Sequence, residues 1–168
     1  MNLTELNELD TDDAFDAFLK CCGAETWAEE MVDSRPFGSA DEMYETADDI
    51  WWDLDRDDWL EAFSAHPKIG DVDSLREKYS SSKSWSEDEQ SGVDEASDEV
   101  LERLTAANDE YEEMYGYIFI VCATGKTAAE MLALLEERLG NDPDDEIEIA
   151  AGEQAKITQI RLEKLLET

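Results

Sequence analysis

Basic residues are scarce in this 168-residue chain: 13 lysines and arginines stand against 46 aspartates and glutamates, for a net charge of −33. Such a chain repels phosphate groups, so nucleic acid and anionic membrane surfaces are excluded as natural partners. Histidine occurs once, at His66, and cysteine three times, at Cys21, Cys22 and Cys122, with no CxxC pair. These are too few nitrogen and sulfur ligands for a zinc site, and neither HExxH nor GxSxG occurs. Coordination of a metal by carboxylates alone stays open. The odd cysteine count reads as reduced, buried thiols in a cytoplasmic protein. No apolar run approaches the ~20 residues that a membrane span needs. The acidic N-terminus lacks an apolar segment, so no leader peptide is expected. No internal repeat and no Gly-, Ser- or Pro-rich linker divides the chain, which predicts one domain over residues 1–168.

What is present argues for a folded protein. Hydrophobic residues make up 42% of the chain, with five each of Trp, Tyr and Phe. This is not the composition of a disordered acidic segment. The acid is spread along the whole sequence, on the polar faces of helical patterns, as at Asp48-Asp49, Asp57-Asp58, Glu112-Glu113 and Glu136-Glu137. A uniform acidic shell with seven lysines resembles the surface of proteins from salt-loving microbes, where concentrated salt screens self-repulsion. A calcium buffer or a DNA mimic is the alternative. Asp53-x-Asp55-x-Asp57 opens like a calcium loop, but Asp58 stands where glycine is required and Ser64 where glutamate is required. Gly125-Lys126-Thr127 fails as a phosphate loop because Ile120 stands at the position of its first glycine.

The periodicity is helical almost throughout. Thr11 is placed to cap a helix carrying Phe15, Phe18, Leu19 and Cys22, with Gly23 at its C-terminal end. Trp27 and Met31 mark a second helix, stopped by Arg35-Pro36-Phe37. Ser39 caps a third with Met43, Ala47, Ile50 and Trp51 inward. Asp55 or Asp57 opens a fourth, with Trp59, Leu60 and Phe63 inward, ending near His66-Pro67. Residues 80–84 form a polar loop, and Ser86 starts a helix whose stripe of Val100, Leu101, Leu104, Ala107 and Tyr111 reaches Gly116. The apolar run from Tyr117 to Ala123 reads as a buried strand. Thr127 and Glu130 make a capping box for the next helix, closed by Gly140, and Pro143 opens the last, which runs to about Leu166.

Three places carry candidate chemistry. His66 sits before a proline at a helix end, in Ala65-His66-Pro67-Lys68-Ile69-Gly70-Asp71, and is the one side chain suited to proton transfer near neutrality. Its bland reading is a histidine bonded to the last carbonyls of its helix. Ser86-Glu87-Asp88-Glu89-Gln90 is a capping box by spacing, and equally the wall of an anion site at a helix N-terminus. Arg161 lies on the face of Gln154, Ile157, Thr158 and Leu165. It is either a snorkelling surface arginine or a clamp that grips a carboxylate or ureide with parallel hydrogen bonds.

The ordered set of Arg35-Pro36-Phe37, Ala65-His66-Pro67-x-Ile69-Gly70, Ser86-x-x-Glu89-Gln90-x-Gly92, Asn108-x-x-Tyr111, Gly116-Tyr117-x-Phe119-Ile120, Gly125-Lys126 and Arg161-Leu162 closely resembles the 2-oxo-4-hydroxy-4-carboxy-5-ureidoimidazoline (OHCU) decarboxylases. Each motif alone is weak, but the set at these spacings is specific, and it covers about Phe15 to Leu166. The resemblance implies a single-domain all-α bundle of roughly eight to nine helices, often homodimeric. It implies conversion of OHCU to (S)-allantoin in urate breakdown, with release of CO2 and without metal or organic cofactor. It also implies that the Tyr117–Ala123 strand reading yields to helix or extended loop. By resemblance His66 is the catalytic acid/base, acting with Glu89 and Arg161. Pro67, Ser86, Glu87, Asp88, Gln90 and the segment Phe119, Ile120, Val121, Cys122 and Ala123 bind substrate. Glu87, Asp88 and Lys68 depart in detail from the pattern, and the acidity there looks like surface adaptation.

The chemistry fits the inventory. The ring accepts the electron pair freed with CO2 as an enolate, so the protein must orient the carboxylate, stabilise that charge and deliver one proton. Two rivals remain at this point. One is an enzyme for a related ureide on the same scaffold, and the other is a non-catalytic acidic helical interaction module.

Overall fold

The computed structural model describes residues 1–66, 87–122 and 126–166, and the backbone alone for 87–98. Among these residues it holds eight α-helices and no strand: α1 Leu3–Glu8, α2 Thr11–Cys21, α3 Glu25–Asp33, α4 Ala40–Asp53, α5 Arg56–Ser64, α6 Glu87–Tyr115, α7 Ala128–Arg138 and α8 Pro143–Leu165. The expected all-α class holds. The polar loop over 80–84 lies outside the described residues. Residues 117–122 form a loop that belongs to neither helix nor strand. An apolar run has the composition of a buried strand, but a strand also needs a partner ladder. Here the Cys122 N–H instead donates to the Glu153 carboxylate at 3.1 Å.

Side-chain caps set the helix starts. Asp10, Ser39, Asp55 and Thr127 each accept a hydrogen bond from the backbone N–H three residues on. The cap of α2 is therefore Asp10 and not Thr11, which is the first helical residue. A carboxylate one position earlier satisfies the orphan N–H of Asp13 and adds negative charge at the positive end of the helix dipole.

The chain forms two compact units. The first comprises α1 to α5 through His66, residues 120–122, and α8 from Ala150 onward. Its core is aromatic. Phe18 meets Trp27 and Phe37 edge-on at 6.1 and 6.4 Å. The indole N–H groups are matched to backbone carbonyls: Trp27 to Ala47, Trp51 to Ala151 and Trp59 to Trp51, each at 3.0 Å. Arg35 of the Arg-Pro-Phe motif donates to the carbonyls of Leu6 and Leu9 at the end of α1, and Asn7 clasps both backbone polar groups of Phe37. Of the stripe expected for α2, Phe18 and Cys22 are fully buried and Phe15 and Leu19 half-buried, while Ala14 and Cys21 complete the buried face.

The second unit comprises α6 through Phe119, α7 and the start of α8 to Ile149. Leu101, Leu104, Met131 and Leu135 fill it. A buried ion pair lies within: Arg138 donates to Glu146 through Nε at 2.8 Å and through a terminal nitrogen at 2.5 Å. Tyr111 donates its hydroxyl to the same carboxylate, and Asn141 donates to the carboxylate's other oxygen at 3.0 Å.

Candidate active site

His66 owes its position to the end of α5. Ala62 and Phe63 are fully buried and anchor that helix, and its last turn tightens as the His66 N–H reaches the Phe63 carbonyl at 3.2 Å. The imidazole is half-buried, and its Nε2 lies 2.5 Å from Oε1 of Gln154. Gln154 is fully buried on α8, and its Nε2 donates to Thr158 Oγ1 one turn on, at 3.0 Å. Burial is the main force on the histidine and pushes its pKa below the ordinary 6.5. The hydrogen bond to the Gln154 carbonyl oxygen opposes that shift, and the charge of Arg161 adds to it. Burial thus biases the imidazole toward its neutral form, the one that accepts a proton.

Arg161 projects from the same helix two turns after Gln154. One terminal nitrogen reaches the carbonyls of Lys20 and Cys21 at 3.5 and 3.4 Å, at the C-terminal end of α2. A guanidinium belongs at the negative end of a helix dipole. These bonds are long, so they hold the group loosely and leave most of its donors for another acceptor. Arg161 also lines an open groove of about 530 Å³ with Lys20 and Lys164, among the few cations of the chain. Beside it, burial drives the Cys21 and Cys22 thiols up to about 11 despite the opposing guanidinium, so both stay protonated and unreactive at neutral pH. All three cysteines are free and buried, as expected.

The segment 119–122 is held at both ends. In the second unit Phe119 lies under the Arg138 guanidinium at 4.6 Å and edge-on to Tyr111 at 5.3 Å. In the first unit Cys122 is fixed by its N–H bond to Glu153, whose other oxygen takes Lys156 at 2.5 Å. Phe119, Ile120 and Cys122 are buried and Val121 is half-buried.

Of the expected site residues, His66 and Arg161 lie in one unit, close enough for the second to act electrostatically on the first. Pro67, Ser86 and Ala123 lie outside the described residues. Glu87, Asp88, Glu89 and Gln90 form the first turn of α6, but their side chains lie outside the described residues too. That helix begins one residue after Ser86, where the spacing puts the cap. The sequence did not single out Gln154 or Thr158 as functional. Their signal was present, since Gln154, Thr158 and Arg161 recur at i, i+4 and i+7 on an otherwise apolar face.

A sequence model of the OHCU decarboxylases matches residues 7–163. The uric acid degradation bifunctional protein TTL of Arabidopsis thaliana is 42% identical over 151 residues, which are 89% of this chain and 46% of that protein. The chain thus spans about half the length of that relative. The 2-oxo-4-hydroxy-4-carboxy-5-ureidoimidazoline decarboxylase of Haloferax volcanii is 27% identical over 163 residues, covering 96% of this chain and 94% of that one. Among solved structures, an OHCU decarboxylase crystallised in the presence of (S)-allantoin superposes with a TM-score of 0.72 at 42% identity, over 90% of this chain and 97% of that one. An (S)-allantoin synthase shares the fold, with a TM-score of 0.71 at 18% identity, over 100% of this chain and 54% of that one.

Proposed function

Because the chain belongs to the OHCU decarboxylase family, we propose that it converts OHCU to (S)-allantoin in urate degradation, with His66 as the acid/base. The observation that carries this reading is the placing of the chain's one histidine: half-buried, driven toward the neutral form, and within electrostatic reach of Arg161.

The substrate carries hydroxyl and carboxylate on one ring carbon, beside a ring C=N bond. When CO2 leaves, the electron pair passes into that C=N bond and toward the 2-oxo group, so the substrate supplies its own electron sink. The neutral imidazole accepts the 4-hydroxyl proton as CO2 departs. The resulting imidazolium returns a proton to one face of the ureido-bearing carbon, the ring nitrogen of the former C=N bond takes one proton from solvent, and the 4-position becomes the carbonyl of allantoin. Arg161 holds the carbonyl and ureido oxygens with its free donors, and the backbone of Phe119, Ile120, Val121, Cys122 and Ala123 faces the ring. Glu89 steadies the substrate or the imidazole, while Pro67, Ser86, Glu87, Asp88 and Gln90 line the bound molecule. These roles are carried over from the family onto matching positions.

The same reading takes residues 1–168 as one family domain, supported by a single family match running from 7 to 163. It includes a homodimer, to be tested by light scattering in molar salt. It also includes a cytoplasmic setting, supported by three free thiols, and a salt-adapted surface, supported by the net charge of −33. No helix among the described residues is long and apolar enough to cross a membrane.

The test is a circular dichroism time course in molar salt, with OHCU generated in place from urate by urate oxidase and hydroxyisourate hydrolase. An (S)-allantoin signal that builds far faster with the protein than without it is the expected result. Equal, slow, racemic decay in a folded sample would remove the decarboxylase reading and direct the search to related ureides.

A further inference from the structure

The chain from His66 through Gln154 to Thr158 has a direction. A buried polar group is kept where each donor meets an acceptor. Gln154 donates its amide N–H to Thr158 Oγ1 at 3.0 Å, one turn on along the same helix. With its NH2 turned to Thr158, Gln154 presents its carbonyl oxygen to the imidazole at 2.5 Å. A carbonyl oxygen accepts and cannot donate. The facing ring nitrogen must then carry the hydrogen, and in a neutral imidazole the other nitrogen holds the lone pair. Gln154 is fully buried, so water does not compete for its oxygen.

We propose that Gln154 is a positioning residue for the reaction: through its side-chain carbonyl, anchored by Thr158, it fixes His66 as the Nε2–H tautomer and so makes Nδ1 the nitrogen that exchanges the proton with substrate. The proton-transfer role rests on the decarboxylase reading; the tautomer does not. Gln154 touches no reacting atom in this assignment. It acts by orienting the base, as the partners of a working histidine do elsewhere. A neutral amide suits the task better than a carboxylate would. It fixes the ring without raising the imidazole pKa as strongly, and so keeps the base neutral in a chain crowded with acid.

The chain has one histidine, so long-range ¹H–¹⁵N correlation spectra report its tautomer without assignment ambiguity. The unaltered protein is expected to show hydrogen on Nε2 and a lone pair on Nδ1 at alkaline pH. Gln154→Met should give mixed tautomers and lower kcat by roughly 10- to 100-fold with little change in KM. Gln154→Glu should restore the Nε2–H form and raise the His66 pKa, shifting the acid limb of the rate profile to higher pH. Should Gln154→Met fail to fold, Thr158→Val cuts only the anchor and is read in the same spectra, with mixed tautomers again expected. A lone pair on Nε2 in the unaltered protein overturns the proposal. So does an unchanged tautomer in whichever of the two variants is folded. If the unaltered protein fails to turn over OHCU, the decarboxylase reading falls, while the tautomer spectra still decide the role of Gln154.

Discussion

The Cβ that Gly23 lacks would stand 2.4 Å from the Cβ of Ala65, the residue before His66. The glycine at the end of α2 is there because another chain segment passes too close for a side chain, not because its backbone needs the left-handed region. The neighbour is a short, rigid methyl group at the end of α5, so a clash has to be relieved by backbone movement. Gly23→Ala should displace the end of α5 and the histidine with it. Overpacking of this kind costs roughly 1–3 kcal/mol, and the expected result is a lower thermal midpoint with a larger proportional loss in kcat. Pairing it with Ala65→Gly should restore both. If Gly23→Ala matches the unaltered protein in stability and rate, the close approach has no consequence.

Arg161 and His66 should be coupled in titration. The guanidinium is one of the forces lowering the histidine pKa, so Arg161→Ala should raise it. Loss of the clamp should also reduce turnover by roughly 10²-fold, the scale for removing one charge-stabilising donor. In the unaltered protein the acid limb of kcat/KM should fall below pH 6.5. The folded pKa lies under the ordinary 6.5, so the unfolded chain binds the proton first as pH falls. The histidine's part of the stability is thus intact above 6.5 and is lost as pH drops through that value toward the folded pKa. An NMR titration of His66 that is the same with and without Arg161 would refute the coupling.

Local signals made most of this fold legible. The caps at Ser39, Asp55 and Thr127 and the stripes of α4, α6 and α7 follow from residues three and four apart. Helix α1 escaped because it has six residues and one buried side chain, Leu6; its single mark is the Asn2–Glu5 capping box. His66 and Arg161 stood out because each is a rare residue type at a telling place. Gln154 did not, since its partner His66 is 88 positions away and only the folded chain joins them. Glu146 was hidden for a different reason. Among 46 acidic residues, one buried carboxylate carries no mark of its own.

That carboxylate should be among the least replaceable residues of the second unit. Glu146 is fully buried and receives Arg138, Tyr111 and Asn141, and the buried Tyr111 hydroxyl is pushed far above its ordinary pKa, first by burial and then by this bond. Removing one member of a buried pair strands the other, which costs roughly 3–5 kcal/mol. Glu146→Leu should destabilise on that scale. The combined Arg138→Met and Glu146→Leu variant should recover a substantial part, because no charge is left unpaired. Denaturant unfolding of the three proteins tests this, and additive losses in the double variant would contradict it.

Salt should act on the surface and hardly at all on that interior pair. Screening shortens the reach of exposed charges from ~10 Å at 0.1 M to ~3 Å at 1 M, but it does not enter a site closed to solvent. The 33 excess negative charges repel one another in the folded chain and less so in the expanded unfolded one. Relieving that repulsion therefore favours the folded state. If the relief amounts to a few kcal/mol, at ~2–4 °C per kcal/mol the thermal midpoint should rise on the order of 10 °C between 0.1 M and 2 M potassium chloride. Excluded cosolutes also stabilise proteins, so uncharged sucrose is the control. A smaller gain in sucrose at matched osmolality assigns the effect to charge. An equal gain, or a midpoint indifferent to potassium chloride, means that the acidic shell is not an adaptation to salt. The Glu146→Leu penalty, measured at both salt concentrations, should stay constant throughout, because the interaction it removes lies where ions do not reach.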